Sequence, residues 1–341
     1  QFLKNLAIIA IPVALQNMLT TTGSMIDTMM IAPLGETTVG AVGLCAQFSS
    51  LMFAGYWGFF GGGMLFFSQY WGAQDDDGID HSYGLTLTCM MIVGLTFGVF
   101  AIFAPETVMK LYTDKESIQV IGAEYLRLIG FGYPVQVFSM AMSALLRSTE
   151  RVRIPLFAAI ASVATNMGLN WVFIYGKFGL PAMGVRGAAL ATTCAAAVNM
   201  AVILILSRAQ GYPYLFHFSK HYRWNSSFVR SYFVKCFPIL CNEILIGVGN
   251  MVINIVLGRQ SEQAIAAIAV FRTLEGLVIG FFSGFSNAAS VLVGKSVGAG
   301  ELDTAYERAK RLVLLCGCSI FMTVRRCLRR HFMQAVWSCV P

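Results

Sequence analysis

The chain has 341 residues, of which 57% are hydrophobic and 12% charged, and its formal net charge is +7. A soluble globular protein carries roughly 25% charged residues, so a soluble domain is excluded. A β-barrel is excluded too, because the apolar runs are continuous over about 20 residues and do not alternate.

The first predicted span covers about residues 5–33 and includes Pro12, Gly23 and, in "GSMIDTMMIAPLG", Asp27. A carboxylate in such company is costly unless it faces a cavity or a partner, and a proton or bound cation neutralises it readily. Further spans are predicted over 39–70, 83–104, 121–146, 155–176 and 187–208. The fifth carries Asn166 and Asn170, four residues apart on one face, whose amides suit a hard cation or a carboxyl. The sixth opens "GVRGAALATTCAAA", where small residues allow close helix approach and Thr192 or Thr193 adds a hydroxyl. Spans at 232–257 and 263–293 follow, the first with Glu243 after Pro238. A ninth begins near 312 and breaks into "TVRRCLRRHFMQAVWSCVP". Its four arginines would cost about 2.5–3.5 kcal/mol each in mid-helix, so a frameshifted or artificially terminated end is expected. The chain starts at Gln1, and the native N-terminus is expected to lie upstream.

Basic residues collect on one side: Arg147, Arg151 and Arg153, then Lys220, Arg223 and Arg230, then Lys295, Arg308 and Arg311. The positive-inside rule makes this side, and the N-terminus, cytoplasmic. One loop on that side, "AQDDDGIDH" at 73–81, is acidic. "VGKSVG" at 293–298 has the look of the end of a phosphate-binding loop, but position 289 is Ala where that motif needs Gly.

Displaced by 226 positions, residues 12–77 align with 238–303 without a gap. Pro12 meets Pro238, Gly23 Gly249, Glu36 Glu262, Gly58 Gly284, Gly72 Gly298 and Asp77 Asp303. Both copies begin with a span running the same way, so the repeat is parallel. The predicted fold class is an all-α polytopic membrane protein of two six-helix lobes, the first complete and the second cut after about two helices. The expected division is 1–222, 223–322 and an aberrant tail at 323–341. Half of one lobe being absent, the 341-residue chain is expected not to transport.

"IPVALQNMLTTTGSMIDTMMIAPLGETTVGAVGL", "SQYWGAQD", "RSTERVRIP", "NMGLNWVFIYGKFGLPAMGVRGAALAT", "FPILCNEIL" and "NAASVLVGKSVGAGELDTAYERAKR" resemble, in this order and spacing, the multidrug and toxic compound extrusion (MATE) family. The resemblance implies a multi-pass secondary transporter of the inner membrane, a monomer and not an enzyme. It would export organic cations in exchange for H+ or Na+, with no cofactor and no metal beyond that ion. Asp27, Asn166, Asn170 and Thr192 resemble the coupling-ion site of the first lobe, and Glu243 the acid of the seventh helix. Asn170 stands where some members have an acid. Met25, Met29, Phe53, Trp57 and Met140 are candidates for an aromatic and Met-rich cavity wall. The alternatives are a transporter like the lipid-linked oligosaccharide flippases, which should show cationic cavity residues, and a membrane scaffold, which would need no intramembrane acid.

Overall fold

The structure, a computed structural model, describes residues 2–222, 224–257 and 262–314. The expected ninth span and the basic tail from 315 onward lie outside these residues. Eleven α-helices are assigned among them: α1 (Phe2–Ile31), α2 (Glu36–Ala73), α3 (Asp76–Phe103), α4 (Pro105–Tyr112), α5 (Glu116–Ile129), α6 (Gly132–Ser148), α7 (Arg153–Tyr175), α8 (Val185–Ala209), α9 (Phe218–His221), α10 (Ser226–Leu257) and α11 (Glu262–Gly298). A further helix begins at 302 and continues to 314.

The breaks follow local chemistry. Gln74 takes a left-handed conformation after α2, and Asp75 then caps α3 by accepting a hydrogen bond from the Gly78 N–H at 2.9 Å. That cap, with Asp76 and Asp77 in the first turn where the helix dipole favours acids, starts α3 seven residues before the predicted span. Gly176, at φ 65°, ends α7. The predicted fourth span at 121–146 is corrected: it is a pair, α5 and α6, bent by 49°. The break falls at Gly130–Phe131–Gly132, and Pro134 next to it cannot donate to the preceding turn.

The acidic loop does not stand alone on the basic side. The segment after α8 lies across the start of α3: the Tyr214 hydroxyl donates to Asp76, Lys220 Nζ donates to Asp77 at 2.9 Å, and His217 Nδ1 lies 2.9 Å from the buried Asp80 carboxylate. The linker therefore supplies hydrogen-bond partners to three of the loop's aspartates and one countercharge, Lys220.

Helix α1 packs between α7 and α11, and α2 packs on α3, α10 and α11. The repeat is visible in these contacts. A Cβ on Gly58 of α2 would stand 2.7 Å from the Leu240 Cα of α10, and one on Gly284 of α11 would stand 2.6 Å from the Ala14 nitrogen of α1. Gly284 is the counterpart of Gly58, and Ala14 that of Leu240. At the basic end Gly72 rests on the Lys295 carbonyl while Gly298 rests on that of Gln69, again a reciprocal pair. Two parallel halves thus meet about an axis along the bundle, as the internal repeat predicts. Thr86 on α3 and the buried Tyr232 hydroxyl on α10, 2.9 Å apart, add a polar tie between them.

Candidate functional site

Within the first half, α1, α6, α7 and α8 enclose a cavity of about 360 Å³. Each contributes one polar stripe at helical spacing: Gln16, Thr20, Ser24 and Asp27; Gln136, Ser139 and Ser143; Ser162 and Asn166; Thr192, Thr193 and Asn199. Asp27 is the single ionisable side chain among the described lining residues. Small residues let the walls approach: a Cβ on Gly23, one turn before Asp27, would already meet both Val163 methyls of α7 at 3.3 Å.

At one end of the cavity the predicted residues form a connected chain. Asn170 Nδ2 donates to the Asp27 carboxylate and also faces Asn166 Oδ1 at 3.3 Å. Asn166 Nδ2 donates to Thr192 Oγ1 at 3.4 Å, and the Thr192 hydroxyl donates to the Ala188 carbonyl at 3.0 Å. Asn166 and Asn170 are both buried, and the Asn170 Oδ1 is a buried oxygen without a hydrogen-bond donor. Such an oxygen is costly in a low-dielectric interior unless something else approaches it. The cluster so formed holds one carboxylate, two amides and a hydroxyl. These are oxygen ligands suited to a hard cation, and the carboxylate is equally able to take a proton.

Thr192 turns toward this cluster, whereas Thr193 donates to the Leu128 carbonyl of α5 at 3.3 Å. Of the proposed wall residues only Met140 lines this cavity. Met25 is half-buried and Met29 exposed, while Phe53 and Trp57 stack on each other at 4.5 Å along α2. Glu243 is half-buried on α10 and is not part of the cluster. It is the repeat counterpart of Asn17, which donates to the Gly280 carbonyl of α11 at 3.4 Å. The cavity's other polar residues, Gln16, Gln136, Ser139, Ser143, Ser162 and Asn199, carry no charge to flag them. Their signal was the recurrence of amides and hydroxyls every three or four residues in otherwise apolar spans.

The MatE family model matches residues 12–172 and 238–335. The chain belongs to this family. The probable multidrug resistance protein YoeA of Bacillus subtilis (strain 168) is 24% identical over 305 residues, covering 88% of this chain and 65% of that protein. The uncharacterized transporter YisQ of the same organism is 22% identical, covering 87% of this chain and 66% of that protein. The chain thus spans about two thirds of the length of these relatives. A MATE crystal structure in the bent conformation matches with a TM-score of 0.80 at 20% identity, over 94% of this chain and 71% of that one. One in the straight conformation matches at 0.79. The fold of this MATE chain is the same by both measures.

Proposed function

We propose that this MATE chain is the larger part of a cation-coupled exporter of organic cations, with Asp27 as its switch. The observation that carries this reading is a lone half-buried carboxylate, held by Asn170, at the end of a cavity otherwise lined by neutral polar groups. In the state open to the outside, Asp27 takes a proton or Na+ and loses its charge. The α1 segment near Pro12 or Gly23 then bends, the cavity narrows, and the drug leaves. Each charge moved supplies roughly 2.3 kcal/mol per 100 mV. Asn170 donates to the ionised carboxylate, and Asn166 and Thr192 hold Asn170 in place.

With one carboxylate and Asn in place of a second acid, H+ is favoured over Na+, because a proton needs only the one carboxylate oxygen whereas a hard metal cation needs several oxygen ligands. The absence of Lys and Arg among the described lining residues weighs against an anionic lipid-linked sugar as cargo. The test is export of a fluorescent organic cation from proteoliposomes under an imposed pH gradient or an imposed Na+ gradient. Export that follows Na+ at fixed pH would reverse the coupling assignment, and export under neither gradient would remove the antiporter reading.

A further inference from the structure

Two motifs singled out in the sequence play no part in the cavity: "RSTERVRIP" between α6 and α7, and "VGKSVG" at the end of α11. The fold brings them together. Lys295 Nζ donates to both Glu150 carboxylate oxygens, at 2.9 and 2.8 Å. Both side chains are about two thirds covered, so the pair is only partly screened by water. Arg127–Glu106, Arg186–Glu124 and Lys220–Asp77 each stay within the first half and its linker. Glu150–Lys295 instead joins one half to the other.

The backbone fixes both ends of this pair. Lys295 cannot slide, because its carbonyl rests on Gly72 of α2, while one turn further on Gly298 rests on the Gln69 carbonyl. Glu150 holds a left-handed conformation, φ 64°, which is strained for a residue with a side chain and points to a position fixed by its surroundings. At the same crossing of α2 and α11 lies Ser68, fully buried and packed on Gly294, the residue before Lys295. Positions 68 and 294 are repeat counterparts, so this contact sits on the axis between the halves.

We propose that Glu150 and Lys295 form a latch that closes the crossing of α2 and α11 on the basic face. Breaking it admits water between the halves from that side. The crossing itself consists of glycine and backbone contacts, which separate without leaving a buried charge; the latch is the polar step that sets how readily they part. Both residues position the halves and touch no cargo. The inference rests on the cation-exchange reading above, but its test reads water access and not export.

The chain is placed in sealed vesicles with the basic face outward, and Ser68→Cys supplies a thiol at the crossing. Labelling by a membrane-impermeant maleimide is followed, with the same chain lacking that substitution as the baseline for native thiols. Glu150→Gln and Lys295→Gln should each speed labelling at position 68 by roughly threefold or more, in line with one partly covered ion pair. The double variant should be no faster than either single one, because the second substitution removes a partner already lost. Glu150→Asp and Lys295→Arg should stay slow. The latch is overturned if the neutral single variants label as slowly as the parent, or if their effects multiply in the double variant. Slow labelling of every variant, with cation export intact in a full-length version carrying the same substitutions, would remove the latch and leave the exporter standing.

Discussion

Asp27 and Asn170 meet from two helices far apart in the chain, and the first predictions belong to them. Asp27→Asn keeps the shape of the group but cannot titrate. In cells expressing a full-length version of the transporter it should reduce ethidium efflux to the vector background at unchanged protein level; efflux at the parent rate would end the switch reading. Asn170→Ala removes the donor to the carboxylate. A hydrogen bond to a charged group contributes about 1.5–3 kcal/mol, so efflux should fall by roughly tenfold or more, measured as initial rate. At this scale the sequence was most legible where a residue was out of place. An acid in an apolar run, and two Asn four apart, need a partner, and the four predicted ion-site residues do converge. The neutral lining was not legible, because Ser, Thr and Gln are tolerated in apolar helices without a cavity and gain meaning only when four such stripes face each other. Thr192 and Thr193 could not be told apart by spacing, since the two sit about 100° apart on α8 and only packing decides which reaches Asn166.

Among the elements, the spans were legible by hydropathy, but their ends and bends were not. Asp75 starts α3 through a cap that hydropathy does not register, and Gly130 and Gly132 bend a run that reads as continuous. The close crossings give a direct test. A Cβ at Gly72 or Gly298 would run into a backbone carbonyl that no rotamer change can move. Gly72→Ala and Gly298→Ala should each destabilise the assembly of the halves by about 1–3 kcal/mol, seen as a lower melting temperature in detergent; an unchanged melting temperature for both would contradict the crossing.

The linker strap responds to acid. Burial holds the His221 imidazole below its ordinary pKa, against the upward pull of the Tyr214 carbonyl and of Asp80. The docked linker therefore favours neutral His221. That preference is fully present above the ordinary imidazole pKa of about 6.5 and is lost as pH falls below it. Proteolysis within 210–225 should accelerate between neutral pH and pH 5, and His221→Gln should flatten that rise. A pH-independent cleavage rate would show that His221 does not govern docking.

For the whole molecule, the repeat was the strongest signal in the sequence, since proline, glycine and acidic pairs in one ungapped register resist chance in a way that shared Leu and Ala do not. Orientation rests on the distribution of basic residues, and the one acidic loop on that side does not offset it because acidic residues contribute little to topology. Alkaline phosphatase fused at Thr113 should therefore be active and at Gln210 inactive; the reverse pattern would invert the topology.

The reciprocal glycine contacts have a consequence for ancestry and assembly. Gly58 on Leu240 and Gly284 on Ala14 are one contact written twice, as between the subunits of a two-fold symmetric dimer. The face that the first half turns toward the second is thus nearly self-complementary, and a protein assembled from two first halves would already possess its meeting surface. Lys295 breaks that symmetry, for its counterpart is Gln69. A duplicated ancestor with glutamine at both positions would have had the crossing before it had the lock.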